Sequence, residues 1–296
     1  MPSAHDISVA VATCGRPDAL TRCLEALAGG AARPGEVIIV DQAPTTRARA
    51  AANAWTGLEV RYLEQPRLGL SASRNLALAS ATTMVLAVTD DDCAPHTGWV
   101  AALADALTRH PVPAAVTGPV VAPGPAPAGA HAVSLRTSST RVDHRGRVLP
   151  WHVGSGANFA APTALLERHG GWDERLGAGS RGRAAEDADL LYRIMRGGGA
   201  VRYEPDAIVT HEWQTRTRRL ETRTSYAFGI GALCGLWLRR GDAYAARMLA
   251  GYAHLHGSEL VAAVRRHDGG RAHEHTRALA AIAPGMAYGL TAPRGP

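Results

Sequence analysis

Three adjacent carboxylates, Asp90, Asp91 and Asp92, follow an apolar run and are the sharpest local feature of this 296-residue chain. Neighbouring like charges repel and lower the stability of the fold, so they invite a compensating cation. Alternate side chains of an extended segment point the same way, which lets Asp90 and Asp92 face one ligand while Asp91 turns aside. Hard oxygen donors at that spacing suit Mg2+ or Mn2+ bridging to a diphosphate. The triplet also fits a solvated acidic turn that caps the helix after Pro95. A second acidic group, Glu186, Asp187 and Asp189, opens a helical pattern. The helix macrodipole favours acids there. Alternatively, one of them enters a cleft as a general base within hydrogen-bond reach of an acceptor hydroxyl.

Other residues have chemistry to add. Arg74, beside Asn75 near the start of a helical stretch, suits phosphate oxygens, because a helix N-terminus and a guanidinium both favour anions; a solvated arginine is the plain alternative. His211 ends a short apolar run, where a neutral imidazole can be a third metal ligand or an ordinary core histidine. Trp151, His152 and Trp172 can stack on a sugar ring or fill a core.

The elements that must position these groups follow from apolar periodicity. Residues 7–12, 37–40, 58–63, 84–88 and 114–117 are expected strands, and 18–28, 45–55, 70–79 and 98–110 the helices between them. Strands alternating with helices of this length argue for an α/β fold with a mostly parallel sheet covered on both faces. Ligands of such sheets sit at the carboxyl ends of the strands, where Thr13, Asp41 and the Asp90–Asp92 triplet fall. From 119 to 151 the texture turns rich in Pro and Gly and then polar, which reads as a long loop or lid. Regular structure resumes at 157–160, followed by helices at 162–169 and from 186, and strands at 201–203 and 207–210. Helices are expected at 225–240 and 243–266.

Composition sets limits. Hydrophobic residues make up 46% and charged residues 20%, which is ordinary for a globular chain. All 32 basic residues are arginine, which excludes lysine-dependent chemistry such as Schiff bases. Residues 216–296 carry 12 arginines against 5 acids and so hold the whole of the +6 excess. The four cysteines show no CxxC pair or metal-ligand spacing and read as reduced thiols. No basic region precedes an apolar core at the N-terminus, and the apolar stretch at 227–238 is shorter than the roughly 20 residues a membrane span needs. A cytoplasmic protein is therefore expected, with the basic C-terminal helices as candidates for a peripheral contact on the inner membrane face or for a homodimer.

In this order the motifs resemble the family 2 glycosyltransferases over residues 7–211. The run from Val9 to Pro17 is similar to the family's opening strand and threonine-containing loop, and the run from Val37 to Asp41 to its second strand. Gly69 to Asn75 resembles the segment ending Ala-Arg-Asn, and Asp90 to Asp92 the DXD motif. Gly156-Ala157-Asn158 and Gly170-Gly171-Trp172-Asp173-Glu174 resemble its paired glycine elements. Glu186-Asp187 and the run from Glu204 to His211 resemble its last two. The resemblance implies a GT-A fold over 1–212, with a donor-binding half at about 1–118, a lid at about 119–151, an acceptor half at about 150–212 and a helical extension over 213–296. It implies transfer of a sugar, with inversion, from a nucleotide-diphosphate donor to a hydroxyl acceptor with Mg2+ or Mn2+. Asp187, with Glu186 as second choice, would be the base. Thr13, Arg16, Asp41, Arg74, Asp90 and Asp91 would meet the donor, Asp92 and His211 the metal, and Trp151 and Trp172 the acceptor. The segment after Asp41 departs from the family, since Gln42-Ala43-Pro44-Thr45-Thr46 lacks its later acid.

Two other readings stand beside this one. A related nucleotidyltransferase would also need acids, metal and nucleotide, but its first loop is normally glycine-rich and basic. A catalytically silent protein of this fold would dock through the basic tail. Nucleic acid is not expected as a partner, because the tail lacks interleaved aromatics for stacking.

Overall fold

Runs of Val, Ile, Leu and Ala buried on both faces build the centre of the molecule. The structure, a computed structural model, describes residues 2–55 and 57–293. β1 (Ile7–Thr13), β2 (Glu36–Asp41), β3 (Val60–Glu64) and β4 (Val85–Asp90) alternate with α1 (Pro17–Ala28), α2 (Thr46–Asn53) and α3 (Leu70–Ser80). These four strands are mutually parallel in the order β3-β2-β1-β4. β5 (Cys93–Pro95) and α4 (Trp99–Thr108) follow. The second half adds β6 (Ala115–Thr117), β7 (Val120–Val121), β8 (Ala130–His131), β9 (Val142–His144), β10 (Phe159–Pro162), α5 (Thr163–Arg168), α6 (Glu186–Arg196), β11 (Val201–Tyr203), β12 (Val209–His211) and β13 (Gln214–Thr215). The tail is α7 (Arg216–Arg239), α8 (Tyr244–Arg265) and α9 (Gly269–Thr291).

The main sheet has eight strands in the order β3-β2-β1-β4-β10-β6-β11-β9. It is mixed rather than uniformly parallel, because β10 runs antiparallel to both β4 and β6 and β9 antiparallel to β11. Register decides what the strand tips offer: Thr13 lies opposite Asp41, and Ala12 opposite Asp90. In a small second sheet β12 pairs antiparallel with β5, setting His211 opposite Cys93. That pairing carries a histidine from far along the chain to the end of the acidic turn.

The segment expected as a loop at 119–151 is partly ordered into the sheets. β7 pairs with β12, β8 with β13, and β9 forms the edge beyond β11. The tail holds three helices where two were expected. α7 begins at Arg216, capped by the Thr215 side chain, and α9 begins under Asp268, whose carboxylate accepts from the Arg271 amide. Glycines allow α7 and α9 to touch backbone to backbone. A Cβ on Gly285 would lie 2.1 Å from the Phe228 carbonyl oxygen, and one on Gly289 as close to that of Ala232. Among the described residues no helix is long and apolar enough to cross a membrane.

The tail is joined to the sheet-bearing part of the chain through α6. The Trp237 indole donates to Asp189 at 2.9 Å, and the Tyr192 hydroxyl to Asp242 at 2.9 Å. Arg219 and Arg223 both bond the Glu274 carboxylate, so part of the tail's positive charge is satisfied internally.

Inside the tail His256 of α8 and His275 of α9 meet Nδ1 to Nδ1 at 3.0 Å, both buried. One ring must be an acceptor there, so the contact requires a neutral imidazole. Burial, then Arg223 and His275, pushes His256 down to about 4 from an ordinary 6.5. The unfolded chain protonates first, so this contribution is present above pH 6.5 and is lost as pH falls toward 4. Thermal denaturation should therefore show the melting temperature falling between about pH 7 and about pH 5, above the carboxylate range. The double variant His256→Leu/His275→Leu should flatten that fall, and an unchanged slope would refute the assignment.

Candidate active site

The tips of β1, β2 and β4 come together with the acidic turn, and each acid there has a different surrounding. Asp91 is fully buried. Its carboxylate accepts from the Thr13 hydroxyl at 2.7 Å and pairs with Arg16 at 2.5 Å. Burial pushes its pKa up to about 7 against the pull of Arg16 and Thr13. Asp91 thus turns aside, by way of a turn at residues 91–92 after β4 rather than an extended run. Arg16, at the turn before α1, also bonds Asp92 at 2.6 Å. Burial lowers its pKa, but Asp91 and then Asp92 outweigh that and hold it above the ordinary value.

Asp90, Asp92, Cys93 and His211 each offer a ligand atom, all within 4.8 Å of one another. His211 Nε2 lies 3.4 Å from Asp92 Oδ1, while its Nδ1 faces the Glu212 carbonyl at 3.0 Å. A proton on Nδ1 satisfies that carbonyl and leaves Nε2 a lone pair toward the acids, the usual second bond of a ligating histidine. Cys93 belongs to the core, and burial, reinforced by Asp90 and Asp92, pushes its thiol pKa well up. Hard ions such as Mn2+ and Mg2+ prefer oxygen and imidazole donors to sulfur, so the usable set is two carboxylates and an imidazole. That set fits Mn2+ or Mg2+, with positions left for phosphate and water.

Arg74 links this corner to α6. It projects from α3 and is 3% exposed. It bonds Glu186 at 2.8 Å, Asp90 at 3.2 Å and the Gly156 carbonyl at 3.3 Å. Burial disfavours its charge, but Glu186 and then Asp90 and Asp187 more than restore it. Glu186 is itself buried; burial and the Asp187 charge push its pKa up, and Arg74 draws it back. Asp187 differs. It is only partly buried, accepts from the Gly156 amide at 2.8 Å and from Ala188 at 2.7 Å, and lines a cavity of about 10 Å³ with Gly156 and Trp172. Just before α6, Ala185 has φ 72° and Arg183 φ 68°. These strained residues are buttressed from the tail, since a Cβ on Gly229 of α7 would lie 2.7 Å from the Ala184 carbonyl group.

Nine of the residues singled out in the sequence therefore form one network: Thr13, Arg16, Arg74, Asp90, Asp91, Asp92, Glu186, Asp187 and His211. Asp41 stands at the adjacent strand tip, buried, with its oxygens taken by the Ala43 amide at 2.9 Å and the Tyr62 hydroxyl at 2.6 Å. Trp172 is 3% exposed, packs edge-on against Phe159 and lies under Arg74. It has no open face for a sugar ring, in keeping with the core alternative. Trp151 is partly buried, with its ring edge-on to Tyr252 of α8. Sequence reasoning missed the Arg74–Glu186 pair and the role of the Gly156 amide. For the amide, the available signal was the Gly156-Ala157-Asn158 motif itself.

A model of the family described as glycosyl transferase family 2 matches residues 8–161. Curated relatives from two strains of Mycobacterium tuberculosis, each named pre-mycofactocin glycosyltransferase, are 28% identical over 261 residues, 85% of this chain and 52% of theirs. The chain spans about half the length of these curated relatives. Among solved structures, the mannosyltransferase PcManGT from Pyrobaculum calidifontis, in complex with GDP-Man and Mn2+, has a TM-score of 0.60 at 19% identity, covering 94% of this chain and 86% of that one. S. aureus TarS 1-349 has a TM-score of 0.58 at 14% identity, covering 95% of this chain and 90% of that one.

The Arg74 network yields a stability prediction. Removing the cation leaves Glu186 and Asp90 uncompensated in a poorly solvated place, so Arg74→Met should cost about 3–5 kcal/mol in urea denaturation at neutral pH. A loss within experimental error would show that the buried pair does not hold the two halves together.

Proposed function

The chain belongs to glycosyl transferase family 2 and has the GT-A fold of a glycosyltransferase, and from that premise we propose how its residues carry out transfer. The donor is a nucleotide-diphosphate sugar, the acceptor is a hydroxyl, and the reaction is a single displacement with inversion. The bond between the anomeric carbon and the diphosphate oxygen breaks as the acceptor oxygen attacks from the opposite face. The acceptor proton passes to Asp187, and the nucleotide diphosphate leaves with the bonding electron pair. Two solved relatives of the fold support the donor class, one in complex with GDP-Man and Mn2+ and the other with UDP-GlcNAc.

Asp92 and His211, with Asp90 beside them, would hold a divalent ion. Once bound, such an ion supplies Lewis-acid stabilisation of the charge that builds on the leaving diphosphate. Arg16 already spans Asp91 and Asp92 and brings a fixed positive charge to the same corner. Thr13 keeps the Asp91 carboxylate oriented, so the turn presents Asp90 and Asp92 outward. Asp41 and Tyr62 shape the adjacent strand tip, where the nucleotide would lie. The segment 119–151 would border the acceptor and exclude water that otherwise hydrolyses the donor.

The observation that carries the assignment is the different treatment of two neighbouring acids. Glu186 is buried and locked to Arg74, while Asp187 is partly exposed and, among the described residues, bonds only the backbone amides of Gly156 and Ala188. Asp187 is then the base, and Glu186 is a positioning residue that holds Arg74 between the donor corner and α6. A base must reach its proton within about 2.6–3.2 Å of the acceptor oxygen. Of the two only Asp187 is open to an acceptor.

Two variants separate these roles. Asp187→Asn should lower transfer by about 100- to 10,000-fold while nucleotide affinity in the presence of Mn2+, measured by calorimetry, is retained. Wild-type turnover in that variant would reject Asp187 as the base. Asp92→Asn should abolish the Mn2+ dependence of nucleotide binding with the melting temperature preserved. Unchanged Mn2+ dependence would remove Asp92 from the ligand set.

A further inference from the structure

Buried and half-buried arginines in this chain come with acids: Arg74 with Glu186, Arg202 with Asp143, Arg193 with Asp189, and Arg219 with Glu274. Arg136 departs from that pattern. Among the described residues no carboxylate forms an ion pair with it, and its Nε is enclosed without a hydrogen-bond partner. One terminal nitrogen donates to the Trp151 carbonyl. Its backbone is fixed by paired hydrogen bonds with Val120, at 3.1 and 2.9 Å, so the guanidinium is held from a rigid base.

The titratable groups whose charge acts on Arg136, or on which its charge acts, are Asp187, Tyr203, Tyr226, His144 and His152. Burial pulls the Arg136 pKa down, and Asp187 is the carboxylate whose charge opposes this. His144 and His152 are lowered by burial and then by Arg136 itself, so the surroundings are neutral or repelled by it. A half-buried guanidinium with an enclosed, unpartnered Nε and a single neutral acceptor is under-compensated, and its planar fork matches carboxylate and phosphate oxygens. It lies in the segment taken above to border the acceptor, near enough to Asp187 for that charge to act on it.

We propose that Arg136 binds an anionic oxygen group of the acceptor, a carboxylate or a phosphate, beside the hydroxyl that Asp187 deprotonates. This rests on the transferase reading above and narrows it to acidic acceptors. Arg136 is then a specificity-determining residue.

The test uses the full chain loaded with Mn2+ and whichever of UDP or GDP binds, so that the donor phosphate site is filled. Glucose, glucuronate and glucose 6-phosphate are then titrated by thermal shift. Wild type should be stabilised by the two anionic sugars and not by glucose. Arg136→Gln should weaken the anionic sugars by roughly tenfold or more and leave nucleotide affinity unchanged. Equal response to neutral and anionic sugars in wild type, or a preference that survives in Arg136→Gln, overturns the proposal. A parallel fall in nucleotide affinity also overturns it, because Arg136 would then serve the donor diphosphate. If Arg136→Gln does not fold, Arg136→Lys should keep the preference at reduced affinity, and affinity equal to wild type would reject the role of the guanidinium fork. Failure of wild type to bind any nucleotide with Mn2+ would bring down the transferase reading, and this inference with it.

Discussion

Negative charge gathered at the tip of β4 is the constraint around which the rest of the molecule is arranged. Three consecutive carboxylates cannot share a strand end without compensation. The chain supplies it from three directions: Arg16 from the turn before α1, Arg74 from α3, and the Thr13 hydroxyl from β1. His211 arrives from a fourth, carried by the β12–β5 pairing. The outcome is asymmetric. Asp91 is sealed inside, while Asp90 and Asp92 face outward with an imidazole nitrogen beside them, a donor set that a small hard cation would fit.

The same economy of charge couples the two halves. Arg74 touches Asp90 on one side and Glu186 on the other, so the position of the acidic corner and the start of α6 are set by one guanidinium. α6 is fixed in turn from behind, where Trp237 and Asp242 of the tail region bond Asp189 and Tyr192. The C-terminal helices therefore act on the site through α6. Their glycine-lined contact between α7 and α9 makes them one packed layer rather than an appendage.

Much of this was legible in the sequence, for identifiable reasons. β1, β2 and β4 are buried on both faces and so read as continuous apolar runs, and α1 announces itself with Pro17 at its first turn. The acids of the site stood out because like charges rarely cluster after such runs. What was illegible depends on distant partners or on masked signals. β7, β8 and β9 are two or three residues long and exist only through pairing with β12, β13 and β11. α9 carries Gly269, Gly270, Pro284, Gly285 and Gly289, which read as breakers until the helix they pack against is known. The partner of Arg74 lies 112 residues away, and no local pattern reveals which of two adjacent acids it takes. The type of Trp172 left a stacking platform and a core filler both open, and tertiary packing buries it.

The central claim is that the acidic corner, with His211, is a divalent-cation site that works together with nucleotide diphosphate. The most direct measurement is an anomalous-scattering map of crystals soaked with Mn2+ and UDP or GDP. The account predicts a manganese peak bounded by Asp92 and His211, with the diphosphate against it. A bound nucleotide with no peak there, or a peak that leaves both residues uncoordinated, would contradict it.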